Sequence, residues 1–216
     1  MKLAPSILAG DLADLKGELE SIALSGADMV HFDVMDGHFV PNLTFGAPLI
    51  RSARAHCALP FDVHLMVTDP GAYMDSLAAA GVAQVSFHTE AERYSPRLIR
   101  RITELGMAAG IAVNPQTPLS ALGEVLPLTS FVLVMGVDPG FAGQEFISTV
   151  WDKLDALAEW RAAQSLAFSI AVDGGVTLDN LARLGALGVD LAVAGKAFFS
   201  APDRSAFAKA VHSAGI

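Results

Sequence analysis

"HFDVMDGHFVPN", His31 to Asn42, decides the architecture of this chain. Read in steps of two, His31, Asp33 and Met35 fall on one side of an extended backbone, and Phe32 and Val34 fall on the other. The stretch then runs into a loop containing Gly37 and Pro41. A strand that is apolar on one face, carries proton- and metal-binding groups on the other and ends in a loop belongs to a buried sheet with a site at its end.

The same kind of segment recurs along the chain. Short runs rich in Val, Ile and Phe read as strands: "KLAPSIL", "DMVHFDVM", "FDVHLMV", "QVSFHTE", "AAGIAVN", "FVLVMGV", "FSIAVDGG" and "DLAVAGKAFF". Between them, "DLADLKGELESIALSG", "DPGAYMDSLAAAG", "SPRLIRRITELG", "STVWDKLDALAEWRAAQ" and "TLDNLARLGALG" space their apolar residues near the helical period, several closing on Gly. Eight strand-then-helix units, at about 27 residues each, predict parallel strands joined by crossovers in an α/β fold. The expectation is a closed (β/α)8 TIM barrel, a single domain over residues 1–216, with lean loops.

Alternation along the strands sorts the residues into two faces. Val30, Phe32, Val34, Phe61, Val63, Leu65, Val85, Phe87, Ile111, Val113, Ile170, Val172, Leu191 and Val193 suit packing beneath outer helices. The opposite set is Ser6, His31, Asp33, Met35, Asp62, His64, Met66, His88, Glu90, Asn114, Met135 and Asp173, and it points into the barrel. Its polar members cluster toward the strand ends that feed the next loop, the end at which this architecture places catalytic groups.

Composition narrows the partner. The 216 residues are 52% hydrophobic, and 23 acidic against 14 basic side chains leave a formal charge of −9 without a long run of either sign. That balance argues against nucleic acid and against an anionic membrane, and favours a small soluble ligand. Cys57 is the one cysteine, so no intrachain disulfide and no cysteine-based zinc site is expected. Pro5, Asp11 and Asp14 interrupt the start of the chain before a signal-peptide core, and no stretch approaches the length of an apolar membrane span. The expected location is the cytoplasm.

Two clusters on the inward face carry chemistry. His31, Asp33, His64 and Asp173 form a two-His, two-carboxylate set able to hold a divalent metal, with His88 a rival ligand that parity leaves open. Buried carboxylates without a cation are costly, and few basic residues stand beside these. The second cluster is "VDPGFAGQEF" from Val137, "DGG" from Asp173 and "AGKAFF" from Ala194, three glycine-containing loops after strands 6, 7 and 8. Backbone N–H groups in such loops converge on a phosphate. A metal beside two acids with an anion anchor suits proton abstraction next to a carbonyl, with one Asp on each side of a planar intermediate.

With these residues identified, the sequence resembles the ribulose-phosphate 3-epimerase family. "PSILAGD", "HFDVMDGHFVPN", "DVHLMV", "FHTEA", "VNPQTP", "VMGVDPGFAGQEF", "VDGG" and "VAGKAFF" are similar to its signatures in the same order over nearly the whole chain. The resemblance implies a barrel enzyme, an isomerase of the pentose phosphate pathway, interconverting D-ribulose 5-phosphate and D-xylulose 5-phosphate. It implies one divalent metal ion per subunit, zinc first, with iron, manganese or cobalt as alternatives. It makes His31, Asp33, His64 and Asp173 the ligands, Asp33 the proton acceptor and Asp173 the proton donor, the roles exchanging in reverse. Ser6, His64, Asp173, Gly140, Phe141, Ala142, Gly143, Gly174, Gly175, Gly195 and Lys196 become substrate-binding, His88 moves behind the ligands, and a homo-oligomer is expected.

Two departures bear on the substrate. Where the family usually has Asn-Pro-Gly-Phe-Gly-Gly, this chain has Asp138, Pro139, Gly140, Phe141, Ala142 and Gly143, a variant similar to D-allulose-6-phosphate 3-epimerases, although "VDGGV" keeps the pentose-type double glycine. Lys196 stands where the family tends to have Ser, and its ammonium is expected to meet phosphate. A catalytically silent sugar-phosphate binding protein is the alternative from another class, and the intact pair Asp33 and Asp173 argues against it. A metal-dependent hydrolase lacks support, since no His-x-His appears on the first strand.

Overall fold

The computed structural model describes residues 1–215. Eight parallel strands form one sheet: β1 (Lys2–Pro5), β2 (Val30–Met35), β3 (Phe61–Met66), β4 (Gln84–His88), β5 (Ala108–Val113), β6 (Phe131–Met135), β7 (Ser169–Asp173) and β8 (Leu191–Ala194). Their order is β1-β8-β7-β6-β5-β4-β3-β2, so each strand pairs with its neighbour in sequence and β8 pairs with β1. The remaining seam, between β1 and β2, is held by a parallel bridge from Ser6 to His31 and by the Asp28 and Met29 N–H groups donating to Leu3 O. The sheet thereby wraps into the barrel that the eightfold repeat predicts.

Helices cover the outside: α1 (Leu15–Ser25), α2 (Ala47–Arg54), α3 (Met74–Ala79), α4 (Ser95–Glu104), α5 (Val150–Ala163), α6 (Leu181–Ala186), α7 (Lys196–Phe199) and α8 (Arg204–Ala214). Their ends follow local chemistry. Asp14 accepts from Gly17 N at the start of α1, Asp203 accepts from Ser205 N and Ala206 N at the start of α8, and Gly26, at φ 86°, ends α1 in the left-handed region. Arg204 donates to Glu18 at 2.6 Å and to Ser21 at 2.7 Å, tying α8 to α1 over the seam.

The crossover after β5 departs from the expected repeat. It holds two short 3-10 turns, Leu119–Leu122 and Leu126–Leu128, where the eightfold pattern called for an α-helix. Pro115, Pro118 and Pro127 remove backbone donors throughout that segment, so a continuous helix cannot form.

Two apolar layers result. One lies between strands and helices and contains Phe32, Phe61, Phe87, Ile111 and Val172. The other fills the barrel interior: Ala4, Ala112, Phe131, Leu133, Met135, Ala171, Leu191 and Val193. Phe131 lies so close to Gly110 that a Cβ there would stand 2.3 Å from its Cζ, so that position on β5 needs glycine. Leu191 and Val193 thus face inward, and the expectation that they pack under the helices is corrected: Ala192 and Ala194 do so instead. Both parities of β8 are apolar, so alternation alone could not orient it, and the small alanines let the helices approach.

Candidate active site

Above the inner apolar layer, the inward parity of β2, β3, β4 and β7 turns polar. The β2–β3 register sets His31 opposite Asp62 and Asp33 opposite His64. That pairing builds the site, because laterally adjacent inward residues of parallel strands touch. His31 Nδ1 donates to Asp62 Oδ2 at 2.6 Å, which leaves Nε2 facing Asp33 Oδ1 at 3.3 Å and Asp173 Oδ2 at 3.8 Å. His64 Nδ1 faces the same two carboxylates, at 3.2 Å and 3.4 Å.

The four ligand atoms of His31, Asp33, His64 and Asp173 lie within 4.8 Å of one another. The four His-to-Asp separations among them run from 3.2 to 3.8 Å, short enough for one ion with bonds of about 2.0–2.1 Å to reach both partners of each pair. Two imidazole nitrogens and two carboxylate oxygens are also a donor set that first-row divalent ions accept. These residues can therefore bind a metal ion. Asp62 behind His31 supplies the carboxylate that fixes a ligating histidine's proton on its far nitrogen.

Burial alone would lower the pKa of His31, but the charges of Asp33 and Asp62 and their hydrogen bonds override it and hold the imidazole well above its usual value. His64 is raised too, against its burial, by hydrogen bonds and charge from Asp173 and Asp33. Burial would raise Asp33, yet His31 and His64 keep it far below the ordinary carboxylate range.

Over the cluster opens a cavity of about 320 Å³, lined by residues from the mouth of the barrel. Ser6, Asp33 and Asp173 reach it from the polar layer, and Met35, Met66 and Met135 give it a thioether wall. All three glycine loops line it: Gly140, Phe141, Ala142 and Gly143 after β6, Gly174 and Gly175 after β7, Gly195 and Lys196 after β8. The loop after β7 requires its glycines. Gly174 and Gly175 have φ of 94° and 69°, and a Cβ would stand 2.3 Å from Val137 Cγ2 at the first and 2.8 Å from Phe146 N at the second. The N–H groups of Gly143, Gly174, Gly175, Gly195 and Lys196 have no hydrogen-bond acceptor among the described residues. Lys196 is the one basic side chain among the described residues lining the cavity, against the acids Asp33, Asp138 and Asp173.

The candidate catalytic, metal-binding and substrate-binding residues read from the sequence thus lie in or just below this mouth. His31 and His64 lie wholly buried beneath the cavity, whereas Asp33 and Asp173 border it. His88 stands behind His64, Nε2 to Nε2 at 2.8 Å, and outside the four-group set. Burial lowers its pKa to about 4, against a raising hydrogen bond from Glu90. Sequence reasoning gave Asp62 no role although its parity was evident; the missing information was the strand register. It also missed Asn42, whose Nδ2 donates to Gly140 O at 2.9 Å and fastens the loop after β2 to the loop after β6.

A barrel of eight parallel strands with a buried His/Asp cluster under an anion-ready cavity at the C-terminal mouth defines a class: small-molecule enzymes of the (β/α)8 type with a metal-compatible centre. Within that class the family is fixed by sequence. Residues 2–199 match the model of the ribulose-phosphate 3 epimerase family. The chain is 46% identical over 207 residues to the ribulose-phosphate 3-epimerase of Treponema pallidum (strain Nichols), covering 96% of this chain and 95% of that protein. To the ribulose-phosphate 3-epimerase of Escherichia coli (strain K12) it is 41% identical over 219 residues, covering 97% of each. It belongs to the ribulose-phosphate 3-epimerase family. Among solved structures, a 3-hexulose-6-phosphate synthase superposes with a TM-score of 0.69 at 20% identity over all of both chains. A mutant tryptophan synthase alpha-subunit from Pyrococcus furiosus does so with 0.67 at 17% identity, over 98% of this chain and 96% of that one. At those identities the likeness is one of fold.

Proposed function

We propose that this chain is a metal-dependent 3-epimerase that interconverts D-ribulose 5-phosphate and D-xylulose 5-phosphate. The observation that carries the reading is the placement of Asp33 on β2 and Asp173 on β7 at one buried histidine pair, both bordering one cavity. A ketose held between them presents the hydrogen on C3, beside the carbonyl, to one carboxylate and its opposite face to the other. Asp33, as carboxylate, takes the proton; the C3–H bond breaks and its electron pair passes into a planar enediolate. Asp173, carrying a proton, delivers it to the other face, and a C3–H bond of inverted configuration forms. Reversal exchanges the two roles.

His31, Asp33, His64 and Asp173 would hold the cation, which supplies Lewis-acid stabilisation of the negative charge that builds on the substrate oxygens. The mixed nitrogen and oxygen donors and the family likeness favour zinc, with iron, manganese and cobalt the competitors. Met35, Met66 and Met135 pack against the flat intermediate without offering it a proton. The free N–H groups of the glycine loops and the Lys196 ammonium take the phosphate, and Ser6 contacts both Asp33 and the substrate. The single cysteine fits a reducing cytoplasm and the family likeness supports a homo-oligomer, and no helix among the described residues is long and apolar enough to cross a membrane.

The test is incubation of the metal-loaded protein with ribulose 5-phosphate in deuterated water. Deuterium at C3 together with xylulose 5-phosphate is the expected result, and neither appearing would refute the proposal. Allulose 6-phosphate, offered to the same preparation, measures whether Asp138 and Ala142 shift the preference to six carbons; a higher kcat/KM for it would replace the pentose reading.

A further inference from the structure

His64 faces the two cavity carboxylates through Nδ1. A histidine binds a cation through an unprotonated nitrogen, so in the loaded site the single ring proton of His64 must sit on Nε2. Among the described residues that proton has one acceptor within reach, Nε2 of His88 at 2.8 Å. His88 is wholly buried, and the Phe39 ring packs on it with centroids 4.8 Å apart. To accept, His88 must carry its own proton on Nδ1, where Glu90 Oε2 waits at 3.2 Å. Ionised Glu90 has no proton to donate, and burial, which opposes ionisation, is outweighed by His88, Thr117 and Asn114, which hold its pKa down at about 2.

The far end of this line is fixed as firmly as the near end. Glu90 Oε1 accepts from Asn114 N at 3.1 Å and from the Thr117 hydroxyl. The segment presenting those donors is pinned by Lys153 on α5, whose Nζ donates to the carbonyls of Asn114, Pro115 and Thr117 at 2.7, 2.8 and 2.6 Å. His31 reaches its carboxylate, Asp62, directly. On the side away from the cavity, His64 reaches its carboxylate, Glu90, only through a second imidazole.

We infer that His88 and Glu90 are positioning residues that set the tautomer of His64, and through it the cation affinity of the site. The inference rests on the proposed ligand role of His64. It has a consequence that packing alone does not produce. In Glu90→Gln the amide oxygen must stay with Asn114 N–H and Thr117, so its NH2 turns to His88 Nδ1, which must then accept. The proton of His88 moves to Nε2 and meets the N–H of His64, donor against donor. Relief comes only if His64 shifts its proton to Nδ1, the atom needed for the cation. His88→Gln, in contrast, can accept from His64 through its carbonyl and donate to Glu90 through its amide, whereas His88→Leu can do neither.

The experiment is titration of the metal-free protein with Co2+ alone, followed by calorimetry and by the visible absorption of the bound ion. Glu90→Gln and His88→Leu should each weaken Co2+ binding by about 10–100-fold, while His88→Gln stays within a few-fold of the parent chain. Unchanged affinity in Glu90→Gln overturns the inference, and so does a His88→Gln protein as weak as His88→Leu. If the parent chain itself takes up no Co2+, the ligand role of His64 fails and the inference with it; parent binding with an unaffected Glu90→Gln sinks the inference alone.

Discussion

Ser6 Oγ donates to Asp33 Oδ2 at 2.5 Å, joining the end of β1 to β2 across the seam of the barrel. Asp33 Oδ1 faces the two histidines, so the serine holds the remaining oxygen and sets the carboxylate plane. A hydrogen bond to a charged group is worth about 1.5–3 kcal/mol. Ser6→Ala is therefore expected to lower kcat roughly tenfold or more while the barrel stays closed, since the Ser6–His31 bridge is a backbone contact. Steady-state kinetics beside a circular-dichroism melt check this, and a kcat within twofold of the parent would show that Asp33 needs no such anchor.

The two-acid assignment makes an asymmetric prediction. With Asp173→Asn, Asp33 can still remove the C3 proton of ribulose 5-phosphate and return it to the same face, so that sugar exchanges hydrogen with solvent but does not epimerise. With Asp33→Asn only xylulose 5-phosphate should exchange. Net epimerisation should fall by about 10²–10⁴ in either variant. Proton NMR in deuterated water reads both sugars, with metal content measured in parallel because each carboxylate also belongs to the donor set. Exchange from both sugars in both variants would contradict one acid per face.

Lys196 leans across the cavity edge, its Cδ 3.4 Å from where a Cβ on Gly143 would stand. As the sole basic group among the described lining residues, it is the partner a phosphate dianion would seek there. It is exposed, so salt screens it. Lys196→Ala should raise KM roughly five- to tenfold with little change in kcat, and should flatten the rise of KM with ionic strength. A variant whose KM and salt dependence match the parent would mean that the ammonium points to solvent and the backbone N–H groups bind the phosphate unaided.

How far such features were legible in the sequence depended on what each one needed. The barrel was readable because strand-like and helix-like segments alternate along the chain, and His31, Asp33, His64 and Asp173 stood out because β2, β3, β4 and β7 each carry polar groups on one face only. β8 was not readable, because Leu191 and Val193 are as apolar as Ala192 and Ala194. Asp62 was visible as an inward acid, yet its bond to His31 depends on a register between strands 31 residues apart in sequence. Lys153 looked like any solvent-facing residue of an amphipathic helix; its three carbonyl partners lie in the proline-rich crossover after β5, whose path no local pattern predicts.

Asp36 supplies a pH-dependent expectation at the rim of the mouth. Its Oδ1 accepts from His38 N and Phe39 N, and its Oδ2 from Thr68 N and Thr68 Oγ1, all at 2.8 Å, which fastens the loop after β2 to the loop after β3. Slight burial would raise its pKa, but the donors from Thr68, Phe39 and His38 hold it well below the ordinary 3.8. A carboxylate lowered on folding contributes its full stabilisation above the unfolded value and loses it as pH falls through the folded one. The fastening should thus be constant from neutrality down to about pH 4 and release only in stronger acid. Asp36→Asn removes the charge at every pH and turns an NH2 toward one pair of donors. Amide exchange at Phe39 and Thr68 should then be faster at pH 7 than in the parent chain, where comparable loosening needs acid. Because Phe39 covers His88, KM and kcat should both worsen in the variant. Equal exchange rates in the two proteins at pH 7 would show that neighbouring contacts, rather than this carboxylate, hold the rim.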